Sequence, residues 1–201
     1  MTMSTSAIDL FNYRRRPTSV VHIGAIDMGG DNPIRIQSMT TTNTNDTDGC
    51  VAQAERIIRA GGELVRLTTQ GSREAENLKN INAGIRADGF DTPLVADIHF
   101  NPHVADVAAL YAEKVRINPG NYVDPARKFI HQEYTDEEYA QELRKIEERF
   151  VPFLDICRAH HTAIRIGVNH GSLSDRIRNR YGDTPEGIVE SCMEFLRICK
   201  Q

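Results

Sequence analysis

Arginine stands between two branched apolar residues at four places in this sequence: Ile34-Arg35-Ile36, Val65-Arg66-Leu67, Val115-Arg116-Ile117 and Ile164-Arg165-Ile166. Successive side chains of a β-strand point to opposite faces, so a strand that packs its Val, Leu or Ile under a helix turns the arginine the other way. If such strands lie side by side, the guanidinium groups converge. Gathering like charges out of water is costly unless counter-charges or an anion compensate, and the planar guanidinium fork matches phosphate oxygens. The pattern therefore has two resolutions: a bound phosphate or diphosphate, or neutralisation by a carboxylate on the same face, for which Asp97 is the candidate. Arg35 comes earliest in its run and is expected at the closed end. Arg66, Arg116 and Arg165 remain as the anion-binding set.

Polar residues follow each run: Ser38 and Met39, Thr68 and Thr69, Asp97 and His99, Asn118, and Asn169 with His170. Carboxyl ends of parallel strands are where barrels and open α/β sheets bind ligands. Asp97 and His99, two apart, share a strand face and suit a metal pair, an acid–base pair or a mutual rim contact. His160, His161 and His170 have no ligand-like spacing with a carboxylate, and no metal site is expected among them.

Short β-branched runs alternate with helical patterns, the mark of βα units and a parallel sheet. Strands are expected to start near residues 34, 64, 94, 114 and 162. Helices are read from Val51, Ala54, Ile57 and Ile58 before Gly61-Gly62, and from Leu78, Ile81 and Ile85. Asn101-Pro102 and Thr184-Pro185 place a capping side chain before a first-turn proline, and Thr135-Asp136-Glu137-Glu138 spells a capping box. The last helix is expected to bury Ile188, Val189, Cys192, Met193, Phe195 and Leu196. Ahead of these units, Val20–Gly24 and Ile26–Gly30 alternate and break at glycines, which predicts an antiparallel hairpin. A complete (β/α)₈ barrel takes about 250 residues. With 201 residues the chain has room for five βα units, as an open doubly wound sheet or as part of a barrel.

The balance of 24 Lys+Arg against 28 Asp+Glu and a pI near 6.0 argue against a nucleic-acid partner. No stretch approaches the about 20 apolar residues of a membrane span, and no apolar segment precedes Arg14, Arg15 and Arg16, so the expected location is cytoplasmic. Cys50, Cys157, Cys192 and Cys199 form no C-x-x-C and signal neither zinc site nor disulfide framework.

Gln37-Ser38-Met39-Thr40, Val95-Ala96-Asp97-Ile98-His99-Phe100, Val115 to Asn121 (VRINPGN) and Ile164 to Leu173 (IRIGVNHGSL) resemble, in order, the motifs of the 4-hydroxy-3-methylbut-2-enyl diphosphate synthase family, the IspG or GcpE proteins. Val65 to Gly71 and Tyr181-Gly182-Asp183 are similar to its longer plant, Bacteroidetes and Chlamydia type. The resemblance implies that residues 1–201 are the amino-terminal portion of a TIM barrel, a partial (β/α)₈ barrel of about five units after a hairpin. It implies reductive opening of 2-C-methyl-D-erythritol 2,4-cyclodiphosphate in the non-mevalonate isoprenoid route, with two electrons entering from a ferredoxin- or flavodoxin-type donor and water leaving. Carried over by position, Arg66, Arg116 and Arg165 are diphosphate ligands, with Asp97, His99, Asn118 and Asn169 completing the rim. The family's 4Fe-4S cluster is held by three Cys and a Glu in a carboxyl-terminal domain that this chain is expected to lack, so no catalytic residue is assigned and the chain alone is expected to be inactive. Two other readings are a pterin-binding-synthase-like barrel transferase, disfavoured by a rim whose one aromatic residue is Phe100, and a noncatalytic assembly module. Open strand edges lead to the expectation of a homo-oligomer.

None of the four cysteines stands in a context like those cluster ligands. The purified chain is therefore expected to be colourless and iron-free after anaerobic reconstitution; thiolate-to-iron absorption with about four irons per chain would overturn this.

Overall fold

The computed structural model describes residues 16–124 and 133–201. Arg14, Arg15 and part of the stretch before Tyr134 lie outside the described residues. Strands β1 (Val21–Ile23) and β2 (Ile26–Met28) pair antiparallel as the expected hairpin. β3 (Gln37–Met39), β4 (Leu64–Thr69), β5 (Leu94–Ile98), β6 (Lys114–Ile117) and β7 (Ala163–Ile166) form one parallel sheet whose spatial order is their chain order. A doubly wound sheet would reverse its order at a switch point. Sequential order with right-handed crossovers instead sends every connecting helix to one side, the arrangement of a barrel wall.

The connecting helices are α1 (Thr47–Arg59), α2 (Ser72–Ala87), α3 (Pro102–Ala108) and α4 (Asp136–His160), followed by α5 (Asp175–Tyr181) and α6 (Pro185–Ile198). Their starts follow local chemistry. Asn101 Oδ1 accepts the His103 N–H at 3.0 Å, and the Thr135 hydroxyl accepts from Glu138 N at 3.2 Å while the Glu138 carboxylate accepts from Thr135 N at 2.8 Å. The helix-facing sheet residues Val65, Leu67, Leu94, Ala96, Ile98, Val115 and Ile117 share one core with Leu78, Ile81 and Ile85 of α2 and with Phe150 and Phe153 of α4. Full burial of each such side chain contributes about 1.5 to 3 kcal/mol. On the opposite face Leu64, Val95 and Ala163 pack with Ile23, Ile26 and Met28, so the hairpin plugs the amino end of the wall.

Three expectations need correction. The first strand begins at Gln37, not near residue 34: Ile34 and Ile36 are 79% and 60% exposed. The Glu63 carboxylate takes the Ile36 N–H at 2.8 Å and Arg35 at 2.7 Å, side-chain bonds where a ladder would have run. Those same donors hold the Glu63 carboxyl below its ordinary range. Arg35 also donates from Nε to the Asp27 carbonyl at 2.7 Å, tying the hairpin down. Second, α5 had no counterpart in the periodicity; the Ser174 side chain caps it. Third, α6 buries Phe195 and Ile198 with Ser191 and Glu194, and leaves Val189 and Leu196 exposed.

Glu194 is buried because Arg176 meets it. The Arg176 guanidinium donates to both Glu194 carboxylate oxygens at 2.8 Å and to Asp124 at 3.0 Å, lies 4.8 Å over the Tyr139 ring, and is 3% exposed. The Tyr139 hydroxyl donates to the same Glu194. Burial alone would lower the Arg176 pKa; Glu194 and Asp124 reverse this and raise it well above the ordinary value. The network fastens α4, α5 and α6 to the segment after β6. Arg176→Met would strand two buried carboxylates and is expected to cost about 3 to 5 kcal/mol in urea unfolding; a loss below about 1 kcal/mol would show that the network is not a fastening.

Candidate functional site

Strand alternation turns Arg66, Asp97, Arg116 and Arg165 to the face opposite the helices, the inner side of the barrel wall. Register brings them to neighbouring positions: Asp97 is level with Arg116, and Arg116 with Arg165. The flanking Val65, Leu67, Val115 and Ile117 are fully buried under the helices, and Ile164 and Ile166 pack against the same core.

Asp97, 2% exposed, is the hub. Its Oδ2 accepts from Arg66 Nη2 and, at 3.3 Å, from His99 Nε2; its Oδ1 accepts from Arg116 Nη1 at 3.2 Å. The carboxylate reading of the sequence thus holds for two arginines. It does not extend to Arg165, which is exposed and makes no hydrogen bond or ion pair among the described residues. The Arg66 Nε–H is buried and lacks a partner among them. Lys114, two residues before Arg116, adds a fourth cation on this face. Among the described residues four cations thus face one carboxylate, and the surplus is available to an anion. Burial lowers the Arg116 pKa first; Asp97 opposes the fall, while Arg66 and Arg165 add to it.

Arg116 lies along the backbone of Gly167, donating from Nη2 to its carbonyl at 2.5 Å. A Cβ at residue 167 would stand 2.0 Å from Arg116 Nε, so the glycine is what admits the guanidinium. Sequence reasoning missed both Lys114 and Gly167. Alternation along β6 would have revealed the first, since residues 114 and 116 share a face.

Asn118 and Asn169 sit at the rim, as expected, but in a capping role. The Asn118 side chain accepts from Gly120 N at 3.2 Å and that of Asn169 from Gly171 N at 2.9 Å, each opening a short 3₁₀ turn. The two turns dock: Asn118 Nδ2 donates to Ser172 Oγ at 2.8 Å, and a Cβ on Gly120 would meet the Ser172 carbonyl oxygen at 1.7 Å. Asn169 remains exposed. His99 stands at the mouth beside Phe100, whose left-handed backbone (φ 62°) leaves its ring 67% exposed. Thr69, expected at the rim, is instead fully buried on the helix side, its hydroxyl donating to the Leu67 carbonyl at 3.3 Å. His170 meets Asp183 at 2.7 Å, a pairing across a turn that linear spacing did not disclose.

The cysteines do not fit an iron–sulfur cluster. Cys50 and Cys157 are buried, and burial pushes their thiols up to about 11 and about 12, against the thiolate that iron ligation needs. No three His, Cys, Asp or Glu groups gather to hold a metal among the described residues. No described helix is long and apolar enough to cross a membrane.

Wall and site together define a class: the first strands of a TIM barrel, with a cationic inner face at their carboxyl ends. The chain belongs to the GcpE family, its residues 18–201 matching the GcpE TIM-barrel domain. It is 76% identical over 192 residues to a Phocaeicola vulgatus protein named 4-hydroxy-3-methylbut-2-en-1-yl diphosphate synthase (flavodoxin), covering 96% of this chain. Proteins of the same name from Akkermansia muciniphila and Chlorobaculum tepidum are 54% and 51% identical, over 94% and 95% of this chain. The chain spans 31%, 32% and 26% of the length of these three relatives. A solved Xanthomonas albilineans dihydropteroate synthase overlays 87% of this chain and 70% of its own with a TM-score of 0.41 at 14% identity, too slight a likeness to bear on function.

Gly167→Ala is expected to expel Arg116 from its seat, costing about 1 to 3 kcal/mol in thermal unfolding and shifting the Arg116 Nε–Hε NMR signal. An unmoved signal with unchanged stability would mean that Arg116 does not rest on this glycine.

Proposed function

We propose that this chain is the substrate-binding part of an enzyme that reductively opens 2-C-methyl-D-erythritol 2,4-cyclodiphosphate to the allylic 4-hydroxy-3-methylbut-2-enyl diphosphate. The observation that carries the reading is the surplus of cations on the inner face: Arg66, Arg116, Arg165 and Lys114 against Asp97. Crowding such a surplus on one face, with Lys114 and Arg116 buried, is unfavourable without an anion to balance it, and a diphosphate supplies that balance in a form the guanidinium fork can grip at two oxygens. The family membership and the names of the relatives agree with that ligand.

In this reading Asp97 aims Arg66 and Arg116, leaving the Arg66 Nε–H and the whole Arg165 guanidinium for phosphoryl oxygens. His99, held by Asp97, offers a second polar group at the mouth. Asn118 and Asn169 hold the rim turns in place. The reaction adds two electrons and releases water. A flavodoxin-type donor is proposed from the relatives' names, and a 4Fe-4S cluster from the sequence resemblance, held by residues other than this chain's cysteines. The chain's own contribution is to bind and orient the diphosphate.

Arg165→Met or Arg116→Met is expected to weaken binding of inorganic diphosphate, followed by titration calorimetry, about tenfold to a hundredfold. Lysine at either position should recover only part of the loss, because the planar fork is gone. Unchanged affinity in both Met variants would place the anion site elsewhere.

A further inference from the structure

Lys114 is a cation without a hydrogen-bonding or ion-pair partner among the described residues. It opens β6 on the inner face and is only 7% exposed. Its register neighbours are Val95 and Ala163, which pack with Leu64 and Ile23 into the plug at the amino end of the wall. Arg66 is level with it through Val95, and Arg165 stands one step nearer the carboxyl ends; their charges add to burial in lowering its pKa. No hydrogen bond or ion pair engages its ammonium among the described residues.

A lysine in such a place is unfavourable for the empty fold, because the charge loses its water and gains repulsion from other cations. A neighbouring carboxylate could have cancelled this, yet Asp97, the carboxylate of this face among the described residues, is committed to Arg66, Arg116 and His99. We propose that Lys114 forms the floor of the anion site, its ammonium receiving with Arg66, on the same level, the deeper phosphoryl group of a diphosphate while Arg116 and Arg165, one step nearer the carboxyl ends, hold the outer one. The proposal rests on reading the inner face as a diphosphate site and assigns the lysine a specificity task within it: a monophosphate spans one level of cations, a diphosphate two. A compact ammonium on a flexible stem suits this confined position better than a guanidinium plane.

Titration calorimetry with inorganic diphosphate and inorganic phosphate, together with unliganded thermal unfolding, tests this on the whole chain. Lys114→Met is expected to weaken diphosphate binding about tenfold or more, to leave phosphate binding within about threefold, and to raise the unliganded Tm by relieving the buried charge. Lys114→Gln is measured alongside, so that a packing defect of Met does not decide the result. If Arg116→Met loses diphosphate while both Lys114 variants bind it as tightly as the parent, or lose both anions equally, the lysine has no specificity role and the anion site itself stands. A fall in the unliganded Tm of both variants would likewise overturn the proposal by making Lys114 structural. If the parent chain binds neither anion, the site reading fails and the floor goes with it.

Discussion

Two-residue alternation along β4 to β7 is the constraint from which the rest of this molecule follows. Each strand must bury one face under helices, and once Val65, Leu67, Val115, Ile117, Ile164 and Ile166 are committed there, the residues between them have a single place to go. Parallel pairing with no break in strand order then sets Arg116 level with Arg165, and Arg66 level with Lys114 one step below. Four cations therefore meet on one face without any local sequence preference for meeting. A shift of one residue in any strand would exchange its arginine for an aliphatic side chain and bury the guanidinium in the helix-side core. The site and the core are thus specified by the same register.

Asp97 decides how that crowding is tolerated. Its two oxygens draw Arg66 and Arg116 together, so the guanidinium groups have fixed directions before any ligand arrives. Fixed donors are worth more to a ligand than mobile ones, because the ordering entropy is already spent on folding. A second carboxylate would have satisfied Arg165 and Lys114 as well, and left nothing to bind an anion. The docked rim turns supply the corresponding rigidity above: Asn118 and Asn169 cap them, Ser172 joins them, and Gly120 lets them touch.

Features with a local or periodic cause could be read from the sequence. Arg66, Arg116 and Arg165 stood out because alternation is a property of each strand alone, and the hairpin, the α4 capping box and the proline-led starts of α3 and α6 stood out because their chemistry spans a few residues. The choice between barrel and doubly wound sheet is a property of strand order, which neither period carries. β3 was misplaced because Glu63, far along the chain, takes the Ile36 N–H. Asn118-Pro119-Gly120 and Asn169-His170-Gly171 each put glycine two residues after asparagine, a local capping signal that stands beside their rim position. Gly167 and Gly120 matter through backbone approaches between segments about fifty residues apart, which no local rule anticipates.

Two groups of charges in this chain show how stability and binding divide a fold between them. Among the helices the single guanidinium of Arg176 holds two carboxylates, Glu194 and Asp124, under an aromatic ring, so each charge touches an opposite one and the network holds elements together. On the inner side the cations outnumber their carboxylate, and Lys114 and Arg165 have no counterpart at all among the described residues. The first arrangement resists unfolding and recognises nothing. The second weakens the empty fold, and that same weakness is free energy returned when an anion binds, since a ligand stabilises the folded state by as much as it prefers it. A chain with only the Arg176 network would be a sturdier wall with no site, and a chain with only the surplus would lack the stability to hold its cations together while empty. Placing one among the helices and the other on the inner face of the sheet lets each serve its purpose.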